Sequence, residues 1–292
     1  AKFEGCYHGW HDYAQWSVTV DPENMGPAER PNMTPGSGGI PDGARDTMLV
    51  LPSNENAFQL IKEHAHELAG VAIEPVLGGG MLTVDKGFIQ KLREVTQKAG
   101  VLLHFDEVIT GFGRLGANFA AQAFDVIPDM ITSAKGFTSG TVPMGAVFMR
   151  DEIYNEFMSK PGAAIEFFHG YTYSAHPLAV AACKAAQQVY ADEGLFQRAA
   201  DMAPVFEDAL HSMKGEPNVI DIRNYGLMGA VEFAPIDGQP GARGAALIQA
   251  SFEAGLMVRV TGDTIAFSPP LILEESHIQQ AVETFQSVLR AS

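Results

Sequence analysis

Cysteine is scarce: Cys6 and Cys183 are the only two in 292 residues. They are far apart and outside any metal-ligand spacing, which excludes a disulfide framework and a cysteine-based metal site and points to reduced thiols in a cytoplasmic protein. No metal is expected. Positive charge is scarce as well. Nineteen Lys and Arg stand against 35 Asp and Glu, for a formal net charge of −16. The cations are scattered, and phosphate contacts need clustered ones, so nucleic acid and anionic membrane surfaces are excluded as partners. No stretch approaches the roughly 18 consecutive apolar residues of a membrane span. The opening Ala1-Lys-Phe-Glu-Gly-Cys-Tyr-His8 has no signal-peptide core. It reads as the interior of a strand with no preceding turn or cap, and so as the start of a fragment.

What is present describes a globular chain. Hydrophobic residues make up 46% and charged residues 18%, enough for a large core and a second, smaller one. The apolar runs Gly70-Val-Ala-Ile-Glu-Pro-Val76, Val101 to Val108 and Met130 to Ala134 recur at roughly thirty residues, the spacing of βαβ units. Between the first two, Phe88, Ile89, Leu92, Val95 and Ala99 fall at helical period, and Gly100 follows as a C-cap would. The spacing predicts a helix over 86–99, a strand over 144–149 and an Ala-rich helix over 177–191. The class is α/β, a doubly wound and mostly parallel large domain over 1–215. Residues 21–47 hold five prolines and five glycines and read as a long irregular loop. Composition shifts near Gly215-Glu-Pro217. The order beyond it, strand, strand, helix, strand, strand, helix, makes 216–292 a small C-terminal α+β domain.

Asp106 and Lys135 stand 29 positions apart, each at the C-terminal end of a short apolar run. Neighbouring buried strands would aim both into one crevice. That pairing suits pyridoxal phosphate, whose aldehyde needs an amine that is neutral when it attacks. Its ring nitrogen needs a carboxylate to stay protonated, so that the ring acts as an electron sink. A lysine before a glycine is ordinarily an exposed loop residue. Here Met130-Ile131 precede it, and the Gly-rich stretch Gly136 to Ala146 follows, a loop that lets backbone approach a ligand closely. Two carboxylates, Asp106 and Glu107, closing a run of Val, Leu and Phe suit a helix cap, a salt bridge or a site. The following Ile109-Thr-Gly-Phe-Gly-Arg114 favours the site, with Val108 suited to packing on a ring face.

Five segments together are highly specific: Tyr7-His8-Gly9; Glu74-Pro75-Val76; Phe105-Asp106-Glu107-Val108 through Arg114; Lys135-Gly136 with Pro143-Met-Gly-Ala146; and Gly170-Tyr-Thr172-Tyr-Ser-Ala-His176-Pro177. In this order the chain resembles, over essentially its whole length, the class III pyridoxal-phosphate-dependent aminotransferases of fold type I. The resemblance implies that Lys135 carries the cofactor as a Schiff base and shuttles the substrate's Cα proton. Asp106 pairs with the ring nitrogen, Tyr7 and Val108 sandwich the ring, and His8 belongs to the same cofactor pocket. Thr172 reaches the cofactor phosphate of a neighbouring subunit, which implies a homodimer with shared sites. Glu74 is expected to orient His8 or Asp106 rather than to react. Arg259 grips the substrate carboxylate, so the implied substrates are an amine or amino acid and a keto acid such as pyruvate.

Many relatives hold that arginine with a glutamate where this chain has Gly79. An arginine without such a latch fits the amine:pyruvate and β-alanine:pyruvate branch. The first sixty residues also look like glutamate-1-semialdehyde 2,1-aminomutase, the runner-up. The family's N-terminal part, with its Ser/Gly/Thr-rich phosphate-binding turn, is missing here, so an inactive fragment is a third reading. His104 replaces a commoner aliphatic residue and is expected to be a hydrogen-bonded core histidine.

Overall fold

The computed structural model describes residues 1–19, 22–158 and 167–291. Its larger sheet has six strands in the order β2-β1-β3-β6-β7-β8: β1 (Lys2–Phe3), β2 (Val50–Leu51), β3 (Gly70–Ile73), β6 (Leu102–Asp106), β7 (Met130–Ser133) and β8 (Ala146–Met149). All neighbours run parallel except β8, which is antiparallel to β7. Between β3 and β6 the short strands β4 (Val76–Leu77) and β5 (Leu82–Thr83) form a separate two-stranded ribbon. The run read as one strand over 70–76 is therefore divided. Pro75 has no N–H to extend the ladder, and the chain turns there.

The helices form where local signals agree. After the one-turn α1 (Asp42–Arg45) and α2 (Asn56–Glu63) comes α3 (Lys86–Ala99), with the bounds its sequence predicts. Asp85 caps it by accepting Phe88 N–H at 2.8 Å, Gly100 ends it at φ 69°, and Ile89, Leu92 and Val95 form its buried stripe. They pack with Leu103 and Phe105 of β6, both fully buried, in the core beneath the sheet. The short α4 (Ala120–Phe124) and α5 (Asp151–Met158) follow. Helix α6 (Pro177–Asp192) opens with proline in its first turn, where no amide partner is lost. Residues 22–47 are largely irregular, broken by short helical turns at Pro22–Asn24 and Asp42–Arg45, and Asp21, the first residue of the predicted loop, lies outside the described residues.

Beyond α7 (Leu195–His211) the chain builds an antiparallel sheet, β11-β12-β10-β9, from β9 (Val219–Tyr225), β10 (Met228–Phe233), β11 (Arg259–Thr261) and β12 (Thr264–Phe267). Helices α8 (Ala242–Glu253) and α9 (Glu275–Ala291) pack on it. Strand β11 begins at Arg259, after Gly255 turns at φ 84° at the end of α8. Helix α7 precedes residue 216, yet Ala199, Phe206 and Leu210 sit in the second core with Val231 and Phe285.

Strands β3, β6 and β7 run the same way, so their C-terminal ends present Glu74, Asp106 and Lys135 along one sheet edge. Replacing Asp85 with alanine removes the cap of the helix beneath that edge. The expected loss is about 1 kcal/mol, read as a lower denaturant midpoint at unchanged slope.

Candidate active site

Asp106 is the last residue of β6. Its Oδ2 accepts a hydrogen bond from His8 Nδ1 at 2.8 Å, and its Oδ1 accepts one from Val108 N–H at 3.2 Å. The two side chains of the His8–Asp106 pair are each 9% exposed. Burial by itself would raise the Asp106 pKa. The hydrogen bond and charge of His8 outweigh that burial, and the net shift is below the ordinary carboxylate value. His8 Nε2 is buried without a hydrogen-bond partner.

Glu74 follows β3. Its Oε2 accepts Tyr7 N–H at 2.7 Å and its Oε1 accepts Gly78 N–H at 3.2 Å. It therefore fixes two backbone segments and does not hydrogen-bond to His8 or Asp106, contrary to the role expected of it. Both carboxylate oxygens are engaged by amides. Burial pushes the Glu74 pKa up. Burial, followed by the neighbouring Glu74 carboxylate, lifts the Cys6 thiol to about 12. Glu107 has a separate job: its carboxylate accepts Ala121 N–H at 3.0 Å, Ala120 N–H and the Thr110 hydroxyl at 3.2 Å. It caps α4, so of the two adjacent acids one is a helix cap and the other pairs with His8. His104, half-buried on β6, is hydrogen-bonded as the sequence suggests, with Nε2 3.1 Å from Thr132 Oγ1 on β7.

Lys135 comes just after β7, in a short 3-10 turn, with φ 45°. That conformation is costly for a residue with a Cβ. The next position has to be glycine, because a Cβ on Gly136 would lie 2.8 Å from the Cβ of Phe112. Tyr190 of α6 donates its hydroxyl to Gly136 O at 2.7 Å and holds the turn from the other side. The Lys135 side chain reaches a cavity of about 580 Å³ that Val108, Ser139, Tyr190 and Arg259 also line. Partial desolvation lowers its pKa, opposed by Asp106 and Glu74 and assisted by Arg259.

Arg259 opens β11 and reaches the cavity from the second sheet. The missing carboxylate at position 79 suggests an arginine without a latch. The structure differs: Arg259 Nη1 donates to the backbone carbonyl of Gly78 at 3.1 Å. A carbonyl has taken the place of the absent side chain. The structure thus groups Lys135, Val108 and Arg259 around one cavity, with Asp106, His8 and Glu74 linked at the adjoining sheet edge. Tyr7 is 51% exposed, Thr172 lies on an exposed turn, and neither lines that cavity. Tyr190 and Arg114, also on its wall, carried no assigned role in the sequence. Arg114 stood inside a recognised motif, whereas nothing marked Tyr190.

The aminotransferase class III family model matches residues 1–289. The chain belongs to the class III aminotransferases. Over 226 residues it is 50% identical to an omega-aminotransferase of Caulobacter vibrioides, covering 77% of this chain and 52% of the relative. Over 231 residues it is 48% identical to a beta-alanine–pyruvate aminotransferase of Pseudomonas aeruginosa, covering 78% and 51%. This class III chain spans about half the length of the curated relatives it matches. Among solved structures, an amine transaminase from an uncultivated Pseudomonas species in its PLP-bound form superposes with a TM-score of 0.84. The identity is 27%, over 99% of this chain and 69% of that one. An (S)-enantioselective omega-transaminase from Thermomicrobium roseum gives 0.83 at 30% identity, over 99% and 67%. The fold is that of these transaminases: an α/β domain on a mostly parallel sheet with a small antiparallel domain.

His104 offers a test of the buried edge in this class III chain. Burial first, then the nearby His8, lowers its pKa from 6.5 to about 4. The unfolded chain binds the proton more readily, so stability is intact above pH 6.5 and falls as the pH drops toward 4. His104→Leu should flatten that acid limb, measured as melting temperature against pH.

Proposed function

We propose that this chain is the lysine-bearing part of a pyridoxal-phosphate-dependent transaminase that moves an amino group from an amine or amino acid to a keto acid such as pyruvate. The observation that carries the reading is one sheet edge presenting a desolvated lysine amine, Lys135, and a buried carboxylate kept ionised, Asp106. The residues suit the cofactor. A charged carboxylate beside a buried, unpartnered His8 Nε2, an amine biased toward its neutral form and the apolar Val108 are what a protonated, planar heterocycle with an aldehyde would meet.

When bound, pyridoxal phosphate supplies an electron sink for the charge left when the substrate carbon loses its proton. The remaining work belongs to the protein. Asp106, ionised through His8, is the group suited to hold a proton on the ring nitrogen. Lys135 Nζ, with its pKa lowered, takes the proton from the substrate Cα and returns one in the second half of the exchange. Val108 and Tyr7 are the ring's two walls in this assignment, and Glu74 holds the Tyr7 backbone in line. Arg259 uses the guanidinium edge not engaged by Gly78 to take a substrate carboxylate in two-point contact. Thr172, on its exposed turn, is assigned to the cofactor phosphate of a second subunit, which makes the working form a homodimer with shared sites. Residues 1–215 then form the cofactor domain and 216–292 the small domain, with α7 packed into the latter's core.

The name of the Pseudomonas aeruginosa relative supports pyruvate as acceptor and an ω-amino acid as donor. Both cysteines are free, which suits a reducing cytoplasm. Among the described residues no helix is long and apolar enough to cross a membrane.

With pyridoxal phosphate, an amine donor and pyruvate supplied, Lys135→Ala should lower alanine formation by at least ~10²–10⁴-fold, the scale of a lost acid–base group. A variant that still transaminates at the native rate would refute the assignment. A second test restores a carboxylate latch. A Cβ on Gly79 meets nothing nearer than Gly5 O at 4.0 Å, so Gly79→Glu should fold. It should raise the pyruvate KM several-fold while leaving the KM of a carboxylate-free amine unchanged.

A further inference from the structure

The ribbon of β4 and β5 turns through Gly78-Gly79-Gly80, three residues with no side chains to anchor them and much conformational freedom to lose. Two arginines of the second sheet converge on this turn. Arg259 on β11 donates from Nη1 to Gly78 O at 3.1 Å, and Arg223 on β9 donates from Nε to Gly80 O at 2.9 Å. The amide of Gly78 is taken by Glu74 Oε1. The Gly78 peptide is thus held on its N–H side by the buried acid and on its carbonyl side by Arg259, while Arg223 pins the turn two residues on.

The two arginines differ in kind. Arg259 is exposed on the cavity wall. Arg223 has a side chain 14% exposed, and its Nη1 lies 2.5 Å from both Asp221 Oδ2 and Glu232 Oε2. Those two acids face each other in register across β9 and β10. With two carboxylates against it, Arg223 has no charge left for a substrate. Its remaining use is the donor that it sends to Gly80.

We propose that Arg223 is a positioning residue for carboxylate recognition: by pinning Gly80 it fixes the Gly78 carbonyl, which in turn orients the Arg259 guanidinium toward the substrate carboxylate. This rests on the reading that Arg259 takes that carboxylate. A guanidinium presents five N–H donors in a planar fork. Gly78 occupies one and leaves a free edge for a two-point contact, so the parked arginine is already aligned. An aligned side chain loses less rotamer freedom on binding than one that has to be ordered by the ligand. A role confined to joining the two sheets would lower stability and treat all substrates alike. The positioning role is selective for carboxylates.

The test uses the cofactor-loaded protein with pyruvate as acceptor, a carboxylate-free donor such as isopropylamine, and propionate as an equilibrium probe in titration calorimetry. Arg223→Ala should raise the propionate Kd and the pyruvate KM about three- to tenfold, the size expected for ordering one long side chain. The donor KM should stay within twofold. Arg223→Lys keeps the charge between Asp221 and Glu232 but lacks the planar donor to Gly80. It should give a smaller rise in the same direction at a native melting temperature, and it carries the test if the alanine variant does not fold. Arg259→Ala should weaken propionate more than either. If Arg259→Ala loses propionate while the Arg223 variants shift only the melting temperature, or shift both substrates equally, the positioning role is wrong and the Arg259 reading stands. If Arg259→Ala binds propionate as the native protein does, that reading falls and the proposal with it.

Discussion

A carboxylate at the buried end of a strand stays charged only when something offsets the loss of water around it. In this chain that something is His8, whose ring nitrogen sits 2.8 Å from Asp106. The contact joins residues 98 positions apart, and it ties the segment after β1 to the end of β6. The amide of Tyr7, one residue earlier, is held by Glu74 at the end of β3. One short segment is therefore fixed against two neighbouring strands by two acids of opposite tendency: burial raises the pKa of one, while a histidine lowers that of the other. In the function proposed above, that second, charged acid is the one that would keep a ring nitrogen protonated.

The same edge is closed from the other side by close approach between the two sheet units. Gly226, at φ 57°, packs so tightly that a Cβ there would lie 2.5 Å from the backbone of Leu115. Arg114 sends its guanidinium to the carbonyls of Leu227, at 3.4 Å, and Pro269. Gly113 is similarly crowded by Phe196, 2.6 Å from where its Cβ would stand. Gly113 and Arg114 of this motif thus join the two units, while Gly111, Phe112 and Arg114 also line the cavity.

Much of this is legible in the sequence, and what is not has physical causes. Helix α3 announced itself at both ends, by Asp85 and Gly100, and along its buried face. The three parallel strands could be read from apolar runs at regular spacing, and Lys135 and Asp106 from their positions at the ends of those runs. Helix α7 was missed because it carries Pro204 inside it, a residue that ordinarily ends a helix. The antiparallel sense of β8 leaves no local trace, since strand direction is decided by the connection. At the site, neither the His8–Asp106 contact nor the backbone partners of Arg259 and Glu74 leave a mark in the sequence. Arg259 parks on a carbonyl, Glu74 on two amides and Glu107 on the start of α4, and the backbone offers those partners at every residue in any sequence. Their choice is made by tertiary approach alone.

Cys6 gives the buried edge a practical consequence. A thiol held near 12 is almost wholly protonated at neutral pH and fully buried, and the thiolate is the reacting form. Alkylating labels therefore fall on half-buried Cys183 alone. That cysteine lies on α6, the helix whose Tyr190 braces the turn behind Lys135. Within this chain Cys183 thus offers an addressable position for a fluorophore or spin label, on the helix that braces the lysine turn.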